Sequence, residues 1–91
     1  MAEVTIEDLQ EHFRQYSKDD DEVIWNIIRA SETLLEQFNV KMTYISREHE
    51  QPLVACVFFT DDDMWMAEGY LRKHGFIVES VKNEIWIRGL E

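Results

Sequence analysis

Seven consecutive apolar residues, Leu53 to Phe59 (LVACVFF), lie just past the middle of the chain, between Pro52 and Thr60. A run this short and this rich in Val and Phe has no polar face to turn to water. It predicts a central strand covered on both sides. The rest of the chain must then supply neighbouring strands and a covering layer. Upstream, Val40, Met42 and Tyr44 alternate with Lys41, Thr43 and Ile45, which is strand spacing. The polar stretch Glu48-His49-Glu50-Gln51 reads as the turn joining the two strands into an antiparallel hairpin.

Three stretches have helical spacing instead. In the first, Thr5 and Asp8 are placed as a capping box, with Val4 and Leu9 at the staple positions. Ile6, Leu9, Phe13 and Tyr16 then form one apolar stripe. The second helix begins within Asp19-Asp20-Asp21-Glu22, where an Asp caps and further acids suit the first turn. Its expected buried face is Ile24, Ile27, Ile28, Leu35 and Phe38, with Leu34 beside it, Val23 and Trp25 to the side, and Asn39 as a left-handed C-cap. The third helix opens at Thr60-Asp61-Asp62-Asp63, buries Met64, Ala67 and Leu71, and stops at Gly75. Phe76-Ile77-Val78 and Ile85-Trp86-Ile87 read as a second hairpin turning at Lys82-Asn83. The expected fold is α+β in the order αα-ββ-α-ββ. It is a four-stranded, mostly antiparallel sheet with helices packed on one face, forming one domain over residues 1–91. Leu90-Glu91 also matches a common cloning scar.

With 45% apolar residues the chain can pack a core. No apolar run approaches the roughly 20 residues of a membrane span, and the N-terminus lacks the basic-then-apolar pattern of a signal peptide. The single cysteine, Cys56, sits inside the apolar run, where it reads as a small buried hydrophobe. A cytoplasmic protein is the natural expectation.

Charge is the informative quantity. Nineteen acids against nine bases give −10, and the excess is uneven. Up to Asn39 there are ten acids and three bases, a net of −7; the remainder carries nine and six, a net of −3. Such a surface repels nucleic acid and anionic membranes and attracts basic proteins, many of which themselves bind nucleic acid. Glu7 with Glu11, and Glu32 with Glu36, repeat one helical turn apart, which costs a helix a few tenths of a kcal/mol per pair. Solubility alone does not require that placement.

Catalytic and metal chemistry find little support. Neither Asp19-Asp20-Asp21-Glu22 nor Asp61-Asp62-Asp63 has the alternating ligands, glycine and terminal Glu of a calcium loop. Successive helical residues point about 100° apart, so neighbouring acids do not converge on one ion. His12, His49 and His74 have no zinc-ligand spacing, and no glycine-rich phosphate loop accompanies the acids. No catalytic residue, metal or cofactor is expected. Trp25 and Trp65 are candidate interface aromatics, since tryptophan is enriched at binding hot spots. Gly69 inside the third helix costs roughly 1 kcal/mol against Ala, and a close helix contact, within the domain or across a dimer, would account for it.

Rows of carboxylates on rigid helices are similar to the phosphates along a duplex edge. In this respect the chain resembles the phage-encoded DNA-mimic inhibitors, among them anti-restriction proteins. The residues carrying the resemblance are Glu7-Asp8-Glu11, Asp19-Asp20-Asp21-Glu22, Glu32-Glu36 and Asp61-Asp62-Asp63. It implies a cytoplasmic inhibitor, acting in the infected host and forming a homodimer. Such an inhibitor would occupy the DNA site of a restriction or other defence nuclease, or of a nucleoid protein, without binding nucleic acid itself. The alternative is an immunity, antitoxin or anti-CRISPR type of inhibitor. There the acids form a rim and steer association, while Trp25 or Trp65 anchors the partner.

Overall fold

The computed structural model describes residues 3–46 and 53–91. The expected turn Glu48–Gln51, with His49, lies outside them. The elements run α1 (Ile6–Arg14), α2 (Asp21–Leu35), a 3-10 turn (Glu36–Phe38), β1 (Val40–Ser46), β2 (Leu53–Phe58), α3 (Asp61–Lys73), β3 (Phe76–Val81) and β4 (Glu84–Leu90). The strands form one antiparallel sheet in the order β1-β2-β4-β3, so the apolar run is indeed central.

Each helix starts where its capping chemistry directs. The Thr5 hydroxyl accepts from the Asp8 amide, and the Asp8 carboxylate accepts from the Thr5 amide at 2.9 Å, completing the box. Asp20 accepts from the Val23 amide and Thr60 from the Asp63 amide. Replacing such caps costs about 1 kcal/mol each. Gly75 ends α3 at φ +85°, a conformation that favours glycine, and Asn39 ends the 3-10 turn at φ 58°. The β3–β4 turn puts Lys82 at φ 59°, and Asn83 is locked to β2 by exchanging hydrogen bonds with Phe58.

The core lies between the helices and one face of the sheet. Val54, Cys56 and Phe58 from β2, Phe76 and Val78 from β3, and Ile85 and Ile87 from β4 meet Leu9, Ile27, Leu35, Met64, Ala67 and Leu71. Phe13 meets Phe76 edge-on, ring centroids 5.4 Å apart, and Gln10 donates to the carbonyl of His74 at 2.8 Å, tying α1 to the end of α3. Leu90 pairs with Phe76 in the sheet, and the Glu91 amide donates to the Gly75 carbonyl at 2.8 Å, so both residues are built into the fold.

Several expected positions differ. The α-helix of α2 stops at Leu35, so Phe38 sits on the 3-10 turn, half-buried against Tyr70 at 5.4 Å between centroids. Ile28 is only half-buried; Val23, Ala30 and Ser31 take the inner face instead. In β1 a bulge at Lys41 shifts the register between Val40 and Met42. A one-residue slip reverses every side chain beyond it, so Thr43 and Ile45 point inward and Met42 outward. Phe59 falls past the end of β2 and is exposed. Among the described residues nothing lies within 4 Å of where a Cβ at Gly69 would stand, so none of their contacts accounts for it.

Candidate binding surface on the acidic helices

The inner face of α2 is taken by Val23, Ile24, Ile27, Ala30, Leu34 and Leu35. What remains faces water: Asp21, Glu22, Trp25, Arg29, Glu32 and Thr33, continuing to Glu36. Steps of three and four put these residues on one side of the helix. Trp25 is 57% exposed and follows Asp21 and Glu22 by one turn. Arg29 comes next, and Glu32 and Glu36 close the far end. No basic residue stands in the last turn. Glu22 and Glu32, the nearest members of the two acid groups, are about 15 Å apart along the axis at 1.5 Å per residue. The α2 face is therefore an aromatic and an arginine framed by carboxylates at both ends, rather than an unbroken acid row.

The first turn of α3 repeats this start. Asp61 and Asp62 are exposed and Asp63 half-buried, and Trp65, 58% exposed, follows by one turn. Its last turn differs, carrying Arg72 and Lys73. The Asn39 side-chain amide lies 3.5 Å from the Asp63 carboxylate, and the Asn39 backbone amide donates to Glu36. Glu36 and the Asp61–Asp63 turn thus share one end of the molecule, while Asp19–Glu22 occupies the other end of α2.

The exposed acids divide by what else they do. The Asp8 and Asp20 carboxylates serve at helix starts, the half-buried Asp63 carboxylate accepts from Asn39, Glu11 accepts from Arg14 and Gln15, and Glu32 accepts from Thr43 at 2.8 Å. Glu7, Asp19, Glu22, Glu36, Asp61 and Asp62 have no side-chain hydrogen bond or ion pair among the described residues, and all six are exposed. Desolvation raises the Tyr70 hydroxyl above its ordinary pKa, and the charge of Glu7 adds to that.

Nucleophilic chemistry has no foothold at the thiol. Burial pushes Cys56 up to about 12, and the Glu32 carboxylate adds to the shift, so the thiolate is suppressed at neutral pH. His12 lies in the last turn of α1 and His74 caps α3, its ring against Tyr70. Among the described residues no group of three or more His, Cys, Asp or Glu is placed to hold a metal ion, and no helix is long and apolar enough to cross a membrane. An apolar cavity of about 260 Å³ opens between α1, α2 and the sheet, with Arg88 on its wall, but Arg88 is held by Glu79 at 3.2 Å.

Sequence patterns did not single out Arg29, Met66 or the exposure of Phe59. Met66 and Trp65 are adjacent in α3 and both point outward, 60% and 58% exposed. The only signal was negative: neither belongs to the Met64, Ala67, Leu71 spacing. Compared with family models, curated proteins and solved structures, the chain matches none.

Proposed function

We propose that the protein is an acidic inhibitor or modulator that docks on a basic, nucleic-acid-binding protein through the outer face of α2. The observation that carries this reading is Trp25, exposed on a rigid helix and framed by Asp19–Glu22 on one side and Glu32 and Glu36 on the other. An exposed indole on such a helix costs little further ordering when it is buried by a partner, and tryptophan is among the commonest hot-spot residues. The carboxylates around it raise the encounter rate with a positive surface and disfavour neutral or acidic ones. No group in this site touches a substrate or performs a chemical step; its role is recognition. The partner is a protein rather than a nucleic acid or a membrane, because a surface of this sign repels phosphates.

A second reading is favoured by a separate observation. Six exposed acids, Glu7, Asp19, Glu22, Glu36, Asp61 and Asp62, have no side-chain hydrogen bond or ion pair among the described residues, which leaves them open to stand in for phosphates. On that reading the protein is a DNA mimic in the DNA site of a defence nuclease or nucleoid protein, and affinity follows charge alone.

The test is affinity capture from a bacterial lysate on wild-type protein and on Trp25→Ala, followed by elution with duplex DNA. A basic DNA-binding protein that is retained by wild type, lost on Trp25→Ala and displaced by DNA is the expected result. Equal retention on both columns overturns the anchored reading and leaves mimicry. Retention of nothing that duplex DNA displaces overturns both.

A further inference from the structure

We infer that the outer face of α3 is a self-association surface, which pairs antiparallel with the same helix of a second copy. This is independent of partner docking, which uses α2. Taking Gly69 as the centre and 100° per residue, Asp62, Trp65, Met66, Arg72 and Lys73 all fall within about 60° of it. All six positions are exposed, while Met64, Ala67, Glu68 and Leu71 occupy the opposite, buried face.

Three properties of this stripe fit a second copy. The first is charge. Asp61 and Asp62 stand at its start and Arg72 and Lys73 at its end; Arg72 is tied to Glu68 and the Val78 carbonyl at 3.0 Å, so the cation that faces a second copy is Lys73. In a twofold antiparallel pair, positions whose numbers add to about 135 face each other, so Asp62 meets the second copy's Lys73, twice over by symmetry. The second is shape. The same twofold sets Gly69 of one copy opposite Met66, and beside Trp65, of the other. With no described residue within 4 Å of a Gly69 Cβ, the glycine leaves a notch that the two large exposed side chains of the second copy would fill. The third is the glycine itself. Gly is unfavourable inside a helix, and here no turn, cap or contact among the described residues requires it; close approach of a second backbone would account for it. The α2 face fails the same test, because acids at both of its ends would repel in an antiparallel pair.

A single helix pair about 20 Å long lies at the small end of specific interfaces, and a net charge of −10 on each copy opposes association. The dimer is therefore expected to dissociate at micromolar concentrations.

Sedimentation equilibrium of the full chain at physiological salt tests this, from about 1 μM to about 500 μM, a range suited to weak interfaces. Wild type is expected to rise from 10.9 kDa toward twice that mass. Gly69→Glu has room for its side chain in the monomer and is expected to remain monomeric throughout, with an unchanged far-UV circular dichroism spectrum and no loss of melting temperature. Asp62→Lys and Lys73→Asp are each expected to weaken the dimer by about tenfold, and the combined variant to recover most of that loss, since each swapped residue then meets its complement across the twofold. A wild type that stays monomeric at the highest concentration overturns the inference. So does a Gly69→Glu protein that dimerises like wild type, or a combined variant no tighter than the weaker single one.

Discussion

Helices α2 and α3 begin alike and end differently. Each opens on an oxygen cap, Asp20 or Thr60, followed by an acidic first turn and an exposed tryptophan one turn later. Each buries an aliphatic stripe against the same sheet. The final turns separate them: α2 runs into Glu32 and Glu36, whereas α3 closes on Arg72 and Lys73. Acids at helix starts are common because the helix dipole favours them, so they say little about partners. The far end, where the dipole favours cations, is informative. In α3 the charges follow the dipole and make the helix its own complement. In α2 they run against it, at a small cost in stability, and leave a face that suits a basic partner.

The comparison can be broken first at the inner faces, where the two helices should be equivalent. Leu35→Ala and Leu71→Ala, both fully buried, are each expected to lower unfolding free energy by about 2–5 kcal/mol in urea titrations. Ile28→Ala, at a half-buried site on the same helix as Leu35, should cost clearly less. A cost at Ile28 equal to that at Leu35 would mean the face of α2 is misassigned.

Alkaline stability sharpens the role of the buried wall between α2 and β2. The Cys56 thiol titrates near 9.0 when exposed and is held at about 12 in the fold. Its stabilising contribution is fully present below the unfolded value. It is lost as pH rises through the folded value, because only the unfolded chain releases the proton in between. The thiol should lower unfolding free energy by up to about 1.4 kcal/mol per pH unit between those limits, and Cys56→Ala should remove that share, leaving only the slope of the same sign from the raised Tyr70 hydroxyl. An unchanged slope would place the thiol in water.

Smaller effects separate the helix ends. Asp20→Ala and Thr60→Ala should each cost about 1 kcal/mol, as two equivalent caps do. Gly69→Ala should raise monomer stability by about 0.5–1 kcal/mol, since helix propensity improves and the Cβ meets none of the described residues. A loss of stability at Gly69 would reveal a contact on the outer face of α3 and undo the contrast with α2.

Much of the fold was legible because local chemistry specified it. Thr5 with Asp8, Asp20, Thr60, Asn39 and Gly75 mark boundaries through hydrogen bonds and backbone conformations that depend only on near neighbours. The central strand was legible because LVACVFF leaves no polar face. Strand order was not, since β2 meets β4 rather than β3 through contacts distant in sequence. The inward face of β1 was hidden by the bulge at Lys41, and Phe38 by the change from α to 3-10 winding at Leu35. Of the binding surface, the residue types were visible but not their grouping. The acids read as one series, and only the folded chain separates Asp19–Glu22 from the end shared by Glu36 and Asp61–Asp63. Gly69 was conspicuous for its cost, yet whether that cost was repaid inside the domain needed the positions of its neighbours.

The most direct measurement is the binding kinetics of the captured basic partner with three proteins: wild type, Trp25→Ala, and Asp19, Asp20 and Asp21 changed together to Asn. Asn keeps the capping group at position 20 while removing three charges. Trp25→Ala is expected to speed dissociation by about tenfold or more, a loss of at least about 1.4 kcal/mol, with little change in association. The triple Asn protein should associate more slowly and with a flatter salt dependence, but dissociate at nearly the wild-type rate. If Trp25→Ala binds as wild type does while the triple Asn protein loses its affinity, the aromatic anchor is contradicted and charge alone carries recognition.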